Sequence, residues 1–420
     1  MELLTKNLMQ FVNEIFDSIV EDVVKIIEIP TVNPPGINYV ECSKLIASIM
    51  KKVGFKVKLF EVSRNMHNYE GDTRVNVVGE YAFGNGKVGL HFHTHYDVVP
   101  TGSGWSLDPF RPVIRDDKLY GRGSCDMKSA LIASLYIPLI VKNVADKLGL
   151  ELNGRVTVSA TPDEETGGAL GAGYIVDNNL IVSDYTVMPE PTSLKYVWYA
   201  HKGCIWLKVT IVGRQIHATL SHRGINAFEK VCLLVNELLK LREKVESRVS
   251  CYPAYPEDGN RANMVIGGLS KSGDSVNTVP GVAWFTIDRR ILPEEDVNNA
   301  RAEILNVIEG FKARNKDVRV RVEETLAIKP ASIDVNHELI KFIDHAVKEV
   351  TGFAVKPVLC PGFLNIRYFI GRGQPAVAWG PGELDYAHAP DENIKLDDLK
   401  TWTIASSLIL IRLLERKNLQ

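Results

Sequence analysis

Four segments place acidic residues or a histidine directly after an apolar, strand-like run. LHFHTHYDVVP carries His95 and Asp97, and LYGRGSCDMK places Asp126 in a glycine-flanked turn before an apolar helix. TPDEETGG carries adjacent carboxylates, and VMPEPTS carries Glu190. Imidazole and carboxylate groups are ligands that suit zinc and related divalent ions. The four segments therefore indicate a metal site, although each also has a structural interpretation.

In the first segment, strand alternation would put His91, His93, His95 and Asp97 on one face, and all three histidines could be core residues. His95 lies nearest the carboxyl end of the strand, where ligands bind in open α/β sheets, and Asp97 could orient its imidazole. Asp126 could instead be a helix N-cap.

The run of Asp163, Glu164 and Glu165 could be a solvated loop. Adjacent carboxylates repel, however, and a cation relieves that repulsion. Cys125 is conceivable as a soft ligand, but adjacent residues in an extended turn point apart, so we interpret it as a packing residue. Because strand ends of one α/β domain meet along one edge, we expect the four segments to converge on a metal-assisted hydrolytic site.

The elements that must position these segments alternate between helical and strand patterns up to about residue 200. Amphipathic stretches at 8–29 and 39–53 precede the runs KVKLFEV, RVNVVGEY and VGLHFHTHYDVV. Helices are predicted near 128–144 and 169–178, each followed by a strand, RVTVSA and YTVM. This order predicts an α/β domain with a mixed sheet flanked by helices.

The pattern changes near Cys204. A strand, a helix near 227–245, two strands, a helix near 297–311 and a strand follow, and this β-α-β-β-α-β order is typical of a ferredoxin-like α+β fold. Signals like those of the first part resume after about residue 328. We therefore predict a catalytic domain of residues 1–203 and 328–420, with residues 204–327 inserted.

With these residues in view, the chain resembles the M20 family of metallopeptidases and amidohydrolases, particularly the acetylornithine deacetylase and succinyl-diaminopimelate desuccinylase branch. The motifs that carry the resemblance are H-x-D-V-V-P, G-R-G-x-x-D-M-K, D-E-E-x-G-G, E-P-T and H-x-x-D-E. They match HTHYDVVP, LYGRGSCDMK, TPDEETGG, MPEPTS and YAHAPDE, in that order along nearly the whole chain.

The resemblance implies two divalent metal ions, with zinc as the first expectation and cobalt or manganese as alternatives. The implied ligands are His95, Asp126, Glu165, Glu190 and His388, of which Asp126 would bridge the ions. Asp97 would support His95, and Glu164 would be the general acid and base. In this family the peptide bond after the bridging aspartate is often cis.

The inserted domain resembles the family's lid and dimerisation domain, which implies a homodimer. GRQIHATLSHRGINAF is similar to G-x-x-x-H-S-A-x-P-x-x-G-x-N-A, so His217 would bind substrate and stabilise the oxyanion, in dimeric members at the partner's site. This sequence departs from the pattern at Ala218, Thr219 and Ser221, where Ser, Ala and Pro are usual. We interpret the nearby His222 as a surface residue.

Two further matches imply contacts with the substrate. SVNTVPGVAWFTIDRRILP resembles N-x-x-P and D-x-R-x-x-P, so Asn277 and Arg290 would bind a substrate carboxylate; otherwise they are a turn residue and a surface cation. CPGFLNIRYF resembles G-x-x-D-x-R-F, with Gly362 and Arg367 retained. Asn365 replaces the usual Asp in a loop that contacts the variable part of the substrate, so the specificity is open.

Composition restricts the partners. A formal net charge of -2 over 420 residues gives no electrostatic reason to expect nucleic acid or an anionic membrane as a partner. The apolar run at 130–141 is shorter than the about 20 residues of a membrane span. The N-terminal sequence lacks the features of a secretory signal, and the cysteines form no CxxC pair, so we expect a cytoplasmic protein.

The expected function is hydrolysis of an amide bond in an N-acyl amino acid by activated water. A metallo-carboxypeptidase or dipeptidase acting on a short peptide is the alternative on the same scaffold. A non-catalytic binding protein is disfavoured because every ligand and base position is filled. A nucleotide-binding oxidoreductase is disfavoured because GRGSCD is not GxGxxG.

Overall fold

A computed structural model of the protein describes residues 2–65, 69–86 and 88–416. The chain divides into two compact units. Unit 1 comprises Met1–Tyr199, Ile333–Pro357 and Asn365–Gln420, and unit 2 comprises Ala200–Ser332 and Val358–Leu364. The short segment Val358–Leu364 thus groups with the insertion, although the sequence placed it in the catalytic domain. The predicted domain limits themselves stay a prediction.

The first part of unit 1 alternates helices with strands. Its elements are α1 (Glu2–Ile27), α2 (Tyr39–Lys52), β1 (Lys56–Glu61), β2 (Val75–Phe83), β3 (Gly89–His95), β4 (Val113–Arg115), β5 (Lys118–Tyr120), α3 (Lys128–Leu148), β6 (Gly154–Thr161), α4 (Tyr174–Asp177), β7 (Tyr185–Pro191) and β8 (Tyr196–His201), and the unit boundary falls within β8.

Unit 2 follows with β9 (Gly203–Val212), β10 (Ile216–His217), α5 (Ala227–Glu246), β11 (Asn263–Ser272), β12 (Thr278–Val279), β13 (Val282–Ile291), α6 (Val297–Arg314), β14 (Arg319–Ile328) and β15 (Ala331–Ser332). The chain then continues with α7 (Glu338–Thr351), β16 (Lys356–Cys360), α8 (Ile366–Ile370), β17 (Ala376–Gly380), β18 (Asn393–Lys395) and α9 (Leu396–Arg416).

The main sheet of unit 1 has the strand order β1-β2-β6-β3-β7-β17-β8. Strands β6, β3, β7 and β17 run parallel to their neighbours in this series, whereas β1 and β2 are antiparallel. All seven residues of β3 are buried, as expected for a central strand of a parallel sheet covered on both faces.

Helix α3 packs against α1 and α9 in the interior of unit 1. It is long and apolar enough to cross a membrane, but 78% of its most apolar 18-residue stretch is buried inside the protein. It ends at Gly149, whose φ of 67° is the left-handed conformation that commonly terminates a helix. Burial on this scale is typical of a core helix.

Unit 2 has a four-stranded antiparallel sheet in the order β11-β13-β9-β14. Helices α5 and α6 supply Leu234, Leu238, Ile304 and Phe311 to the core that the sheet covers. Asn226 and Asp296 cap the two helices by accepting hydrogen bonds from their first-turn amides. Strand order and helix placement are those of a ferredoxin-like unit, so the predicted fold class is confirmed.

Candidate metal centre

The parallel strands of unit 1 bring the candidate ligands to one edge of the sheet. His95 is the last residue of β3, Glu164 and Glu165 follow β6, and Glu190 lies near the end of β7. His388 lies in the segment after β17, which is parallel to β7. The convergence predicted from the strand ends is thus a consequence of parallel pairing.

His95 is buried, and the contacts of its ring fix which nitrogen carries the proton. Nδ1 lies 3.0 Å from the carbonyl oxygen of Asp97, which can only accept a hydrogen bond, so Nδ1 is the donor. Nε2 lies 3.1 Å from Oδ1 of Asp126. In a neutral imidazole, a lone pair and a carboxylate oxygen therefore face each other, which is the arrangement that a shared cation would stabilise.

Asp97 connects this histidine to the loop after β6. Its Oδ1 accepts a hydrogen bond from the amide of Glu164 and its Oδ2 one from the amide of Glu165, each at 3.2 Å. Asn33 donates to the same Oδ2 at 2.9 Å and to the hydroxyl of Thr166 at 3.0 Å. Asp97 therefore supports both His95 and the two glutamates.

Asp126 lies between two histidines. Its Oδ1 faces His95, and its Oδ2 lies 3.4 Å from Nε2 of His388. Burial raises the pKa of the Asp126 carboxyl. The two histidines lower this pKa by a larger amount, so its net shift is downward. One carboxylate oxygen for each partner is the geometry expected of a bridging ligand. The peptide bond from Asp126 to Met127 is cis.

His388 and Glu165 complete the second half of the site. Nε2 of His388 lies 3.2 Å from Oε1 of Glu165. Burial lowers the pKa of His388, but Asp126 and Glu165 raise it to about 11 overall. His388 has a φ of 61°, a left-handed conformation that is uncommon for a residue other than glycine.

Two sets of donor atoms could each hold one ion. The first is His95, Asp126 and Glu190, the second is Asp126, Glu165 and His388, and within each set the ligand atoms lie within 4.8 Å of one another. Asp126 belongs to both. Burial and the neighbouring Asp126 raise the pKa of Glu190 well above its usual range. His95 lowers this pKa, but by less. A buried group of carboxylates with two histidines fits a pair of divalent cations.

Glu164 belongs to neither set. The pKa of Glu164 is raised to about 8, chiefly by burial. His95 lowers this pKa, whereas the negative charges of Glu165, Asp126 and Asp97 raise it. Perturbed carboxyl groups of this kind are common in active sites. Glu164 is therefore close to the candidate ligands without being one of them.

The other histidines of β3 lie in the interior. His91 and His93 are fully buried, and both contact the hydroxyl of Ser159, at 2.8 and 2.9 Å. Cys125 is also buried, and its Sγ contacts the carbonyl oxygen of Glu383 at 3.3 Å. The contacts of these three residues are those of packing residues.

In unit 2, His217 and Asn277 lie together. His217 pairs with Thr278 across the β10–β12 ladder, and the amide of Ala218 donates to the carbonyl of Asn277 at 2.9 Å. Nδ1 of His217 contacts the hydroxyl of Thr219 at 2.8 Å and accepts from its amide at 3.3 Å. Because the amide can only donate, the proton of a neutral His217 is on Nε2.

Arg290 and Gly362 line one pocket of unit 2. Arg290 donates to Oδ2 of Asp288 through Nε and Nη2, at 3.1 and 2.9 Å. Lys202 lines the same pocket, and burial together with Arg290 lowers its pKa to about 8. Arg261 is a further cation of the lining, and Asp258 and Asp288 are its two carboxylates, so the three cations outnumber the carboxylates by one.

Arg367 lies in unit 1, where its Nη2 donates to the carbonyl of Gly167 and its guanidinium stacks on the ring of Tyr368 at 4.4 Å. Asn365 is fully buried, and its amide atoms have no hydrogen-bond partner within the described part of the chain. A methyl group on Gly168 would lie 2.2 Å from Oδ1 of Asn365. This segment therefore packs directly on the loop that carries the two glutamates.

Sequence reasoning missed three residues that contact the candidate centre: Asn33, Arg122 and Glu392. Asn33 lies in a proline-rich loop, and its position beside Asp97 depends on folding. Glu392 stands in the matched H-x-x-D-E motif without an assigned role, and a second acid after His388 was the available signal. Its contacts are with the backbone around Asp126.

Imidazole and carboxylate donors grouped at the carboxyl edge of a mixed sheet form a site suited to metal-assisted hydrolysis. The model of peptidase family M20/M25/M40 matches residues 91–409, and the chain belongs to this family. It is a hydrolase that acts on amide bonds.

Relatives and solved structures agree with this membership. The chain is 30% identical over 415 residues to an uncharacterized metallohydrolase of Methanocaldococcus jannaschii, with 91% of this chain and 97% of the relative covered. It is 29% identical to the acetylornithine deacetylase of Photorhabdus laumondii, with 87% and 88% covered. The fold is similar to that of the dipeptidase Dug1p of Saccharomyces cerevisiae, with a TM-score of 0.78, 15% identity and 98% of each chain covered.

Proposed function

We propose that this protein removes the acyl group from an N-acyl amino acid by hydrolysing its amide bond, as a deacylase similar to acetylornithine deacetylase. The proposal rests mainly on the position of Asp126, which belongs to both candidate ligand sets. The proposed ligands are His95, Asp126, Glu165, Glu190 and His388. The donors suit zinc first, with cobalt or manganese as alternatives.

Glu164 is the proposed general acid and base. When bound, a pair of divalent ions polarises the amide carbonyl and acidifies a water molecule. Glu164 as carboxylate takes a proton from that water, and as carboxylic acid it delivers the proton to the leaving nitrogen. Its burial and its place beside both ligand sets support this role. Asp97 holds His95 and the loop of Glu164 in position through its hydrogen bonds to both.

His217 is the proposed donor to the oxyanion. Its Nε2 carries the proton because Thr219 donates to Nδ1, so a neutral imidazole can donate a hydrogen bond to developing negative charge. The family resemblance implies that this residue acts at the partner subunit's site.

A homodimer through unit 2 is part of the proposal. Strand β11 is an edge strand of its sheet, with Val265 51% and Leu269 66% exposed. On α5, Phe228 is 51% and Leu233 54% exposed. Exposed apolar side chains on an unpaired edge favour association with a second chain.

The substrate is proposed to carry a free carboxylate. The pocket of Arg290, Lys202 and Arg261 supports this, with Asn277 as a further proposed contact. Gly362 and Arg367 are proposed to contact the variable part of the substrate. Relatives named acetylornithine deacetylase favour an acyl amino acid as the substrate. The proposed location of the protein is the cytoplasm.

A dipeptidase or carboxypeptidase is the second candidate. The same cationic pocket would accept the carboxyl terminus of a peptide, so it favours neither substrate class. Solved structures of similar fold include a metallo-carboxypeptidase from Sulfolobus solfataricus, at 20% identity and a TM-score of 0.74, which is a likeness of fold alone.

A substrate panel separates the two candidates. Protein reconstituted with Zn²⁺ is assayed on N-acetyl and N-succinyl amino acids and on dipeptides that share the same carboxyl residue. We expect the acyl amino acids to have the highest kcat/KM. Higher kcat/KM on dipeptides throughout would make the protein a peptidase.

The carboxylate pocket is tested with Arg290→Met, and Arg301→Met is the matched control because Arg301 pairs with Glu324 elsewhere in unit 2. We expect Arg290→Met to raise KM for acids but not for the corresponding carboxamides. Equal effects on acids and carboxamides would remove Arg290 from carboxylate binding.

A further inference from the structure

We propose that Glu392 is a positioning residue that holds the bridging ligand Asp126 and the terminal ligand His388 in one rigid arrangement. This inference rests on the proposed ligand roles of the two residues. Glu392 and its partner Arg122 are each 1% exposed in their side chains, so the pair is fully inside unit 1. Nothing in the proposed chemistry uses Glu392 directly.

The carboxylate of Glu392 accepts hydrogen bonds from three amides of the turn that presents Asp126. Oε1 accepts from Cys125 at 2.9 Å and from Asp126 itself at 3.0 Å. Oε2 accepts from Gly123 at 3.0 Å. These amides lie in the turn before α3. Without the Glu392 carboxylate they would be buried without hydrogen-bond partners. Glu392 thus fixes the backbone of the bridging ligand.

Arg122 extends the contact to the second ligand. Its Nη1 donates to Oε2 of Glu392 at 2.6 Å, and its Nη2 lies 3.4 Å from the carbonyl oxygen of His388 and 3.3 Å from that of Thr101. The guanidinium also stacks over Trp105 at 5.1 Å. The buried ion pair of Arg122 and Glu392 therefore connects the turn that carries Asp126 with the backbone of His388.

The chemistry requires a carboxylate at this position. Each oxygen receives two donors, and one of the two on Oε2 is charged. In a glutamine one of these oxygens becomes an NH₂ group, which would face N–H donors and lose their hydrogen bonds. Leaving buried donors unpaired disturbs the turn that carries Asp126.

Asp22 provides a matched control. It is a buried carboxylate of unit 1, 2% exposed, that accepts a hydrogen bond from Tyr136 at 2.8 Å and one from Lys25 at 2.6 Å. It belongs to neither candidate ligand set. Asp22→Asn and Glu392→Gln both replace a buried carboxylate by a carboxamide, but only the second acts on the ligands.

The test measures binding of Zn²⁺ to the full chain by competition with a chromophoric chelator, together with the Tm of the chelated protein. We expect both variants to lower Tm. We expect Glu392→Gln alone to weaken Zn²⁺ binding, by about 10- to 100-fold. Unchanged Zn²⁺ binding in a folded Glu392→Gln protein would overturn the proposal, as would an equal loss in Asp22→Asn.

If Glu392→Gln does not fold, Arg122→Lys tests the same positioning role. Lysine keeps the charge but cannot donate to Glu392 and to the His388 carbonyl through a planar fork. We expect weaker Zn²⁺ binding and an altered visible spectrum of the Co²⁺-loaded protein; wild-type binding and spectrum would overturn the proposal. These measurements use no substrate, so they stand apart from the outcome of the substrate panel.

Discussion

Thr219 donates its backbone amide to Nδ1 of His217 at 3.3 Å, and its hydroxyl contacts the same nitrogen at 2.8 Å. The family pattern that the chain resembles has alanine at the position of Thr219. The hydroxyl is therefore an additional contact in this protein, and it favours the imidazole tautomer with the proton on Nε2.

Replacing Thr219 by alanine removes the hydroxyl and keeps the amide. Because an exposed hydrogen bond contributes about 0.5–1.5 kcal/mol, we expect a drop in kcat of about 2- to 10-fold and a smaller population of the Nε2–H tautomer in ¹⁵N NMR spectra. Thr219→Ser should retain both properties. His337 is an internal reference, because its Nδ1 accepts the amide of Leu339 at 3.2 Å. An unchanged tautomer population in Thr219→Ala would exclude this role for the hydroxyl.

Asp97→Asn tests the support of the glutamate loop. Asp97 accepts from the amides of Glu164 and Glu165 and from Asn33, and an asparagine would turn an NH₂ group toward one of these donors. We expect the free energy of unfolding to fall by about 1–3 kcal/mol and kcat to fall as well. Urea unfolding and steady-state kinetics measure the two effects. Loss of stability without loss of kcat would reduce Asp97 to a structural residue.

Metal stoichiometry distinguishes the shared ligand from a terminal one. Asp126 is in both donor sets, whereas His388 is in one. We therefore expect Asp126→Ala to lose both ions and His388→Ala to retain one, as measured by elemental analysis after gel filtration. Two ions per chain in Asp126→Ala would contradict the bridging role.

Subunit mixing tests the proposed dimer. If His217 serves the partner's site, a heterodimer of His217→Ala and Glu164→Ala chains has one complete site. We expect mixing followed by refolding to recover up to about a quarter of wild-type activity, since half of the dimers are mixed and each has one intact site. No recovery in a preparation shown to contain heterodimers would place His217 in its own subunit's site.

The sequence was sufficient to predict that the strand ends with the candidate ligands meet, because the acids follow apolar strands and parallel strands share one edge. The β-α-β-β-α-β order of unit 2 followed from hydrophobic periodicity alone. Both are local signals, readable without knowledge of distant contacts.

Contacts between distant residues could not be predicted. Asn33 is 64 residues from Asp97, and Arg122 is 270 residues from Glu392, so no local pattern joins either pair. The helix predicted at 169–178 was wrong in part: Ala169–Gly173 forms a π-helical turn, and α4 covers Tyr174–Asp177. Gly171 and Gly173 weaken the helix, and Gly171 packs so closely on the carbonyl of Pro162 that no side chain fits.

In the proposed mechanism, Glu164 moves the proton without holding an ion. Glu164→Gln keeps the size of the side chain and removes its basicity, and Glu14→Gln on the exposed face of α1 is the control. Ion content and kcat are measured on the same preparations with the best substrate of the panel. We predict two ions per chain in both variants and a kcat for Glu164→Gln lower by about 10²- to 10⁴-fold. Wild-type kcat, or loss of an ion together with activity, would contradict the assignment.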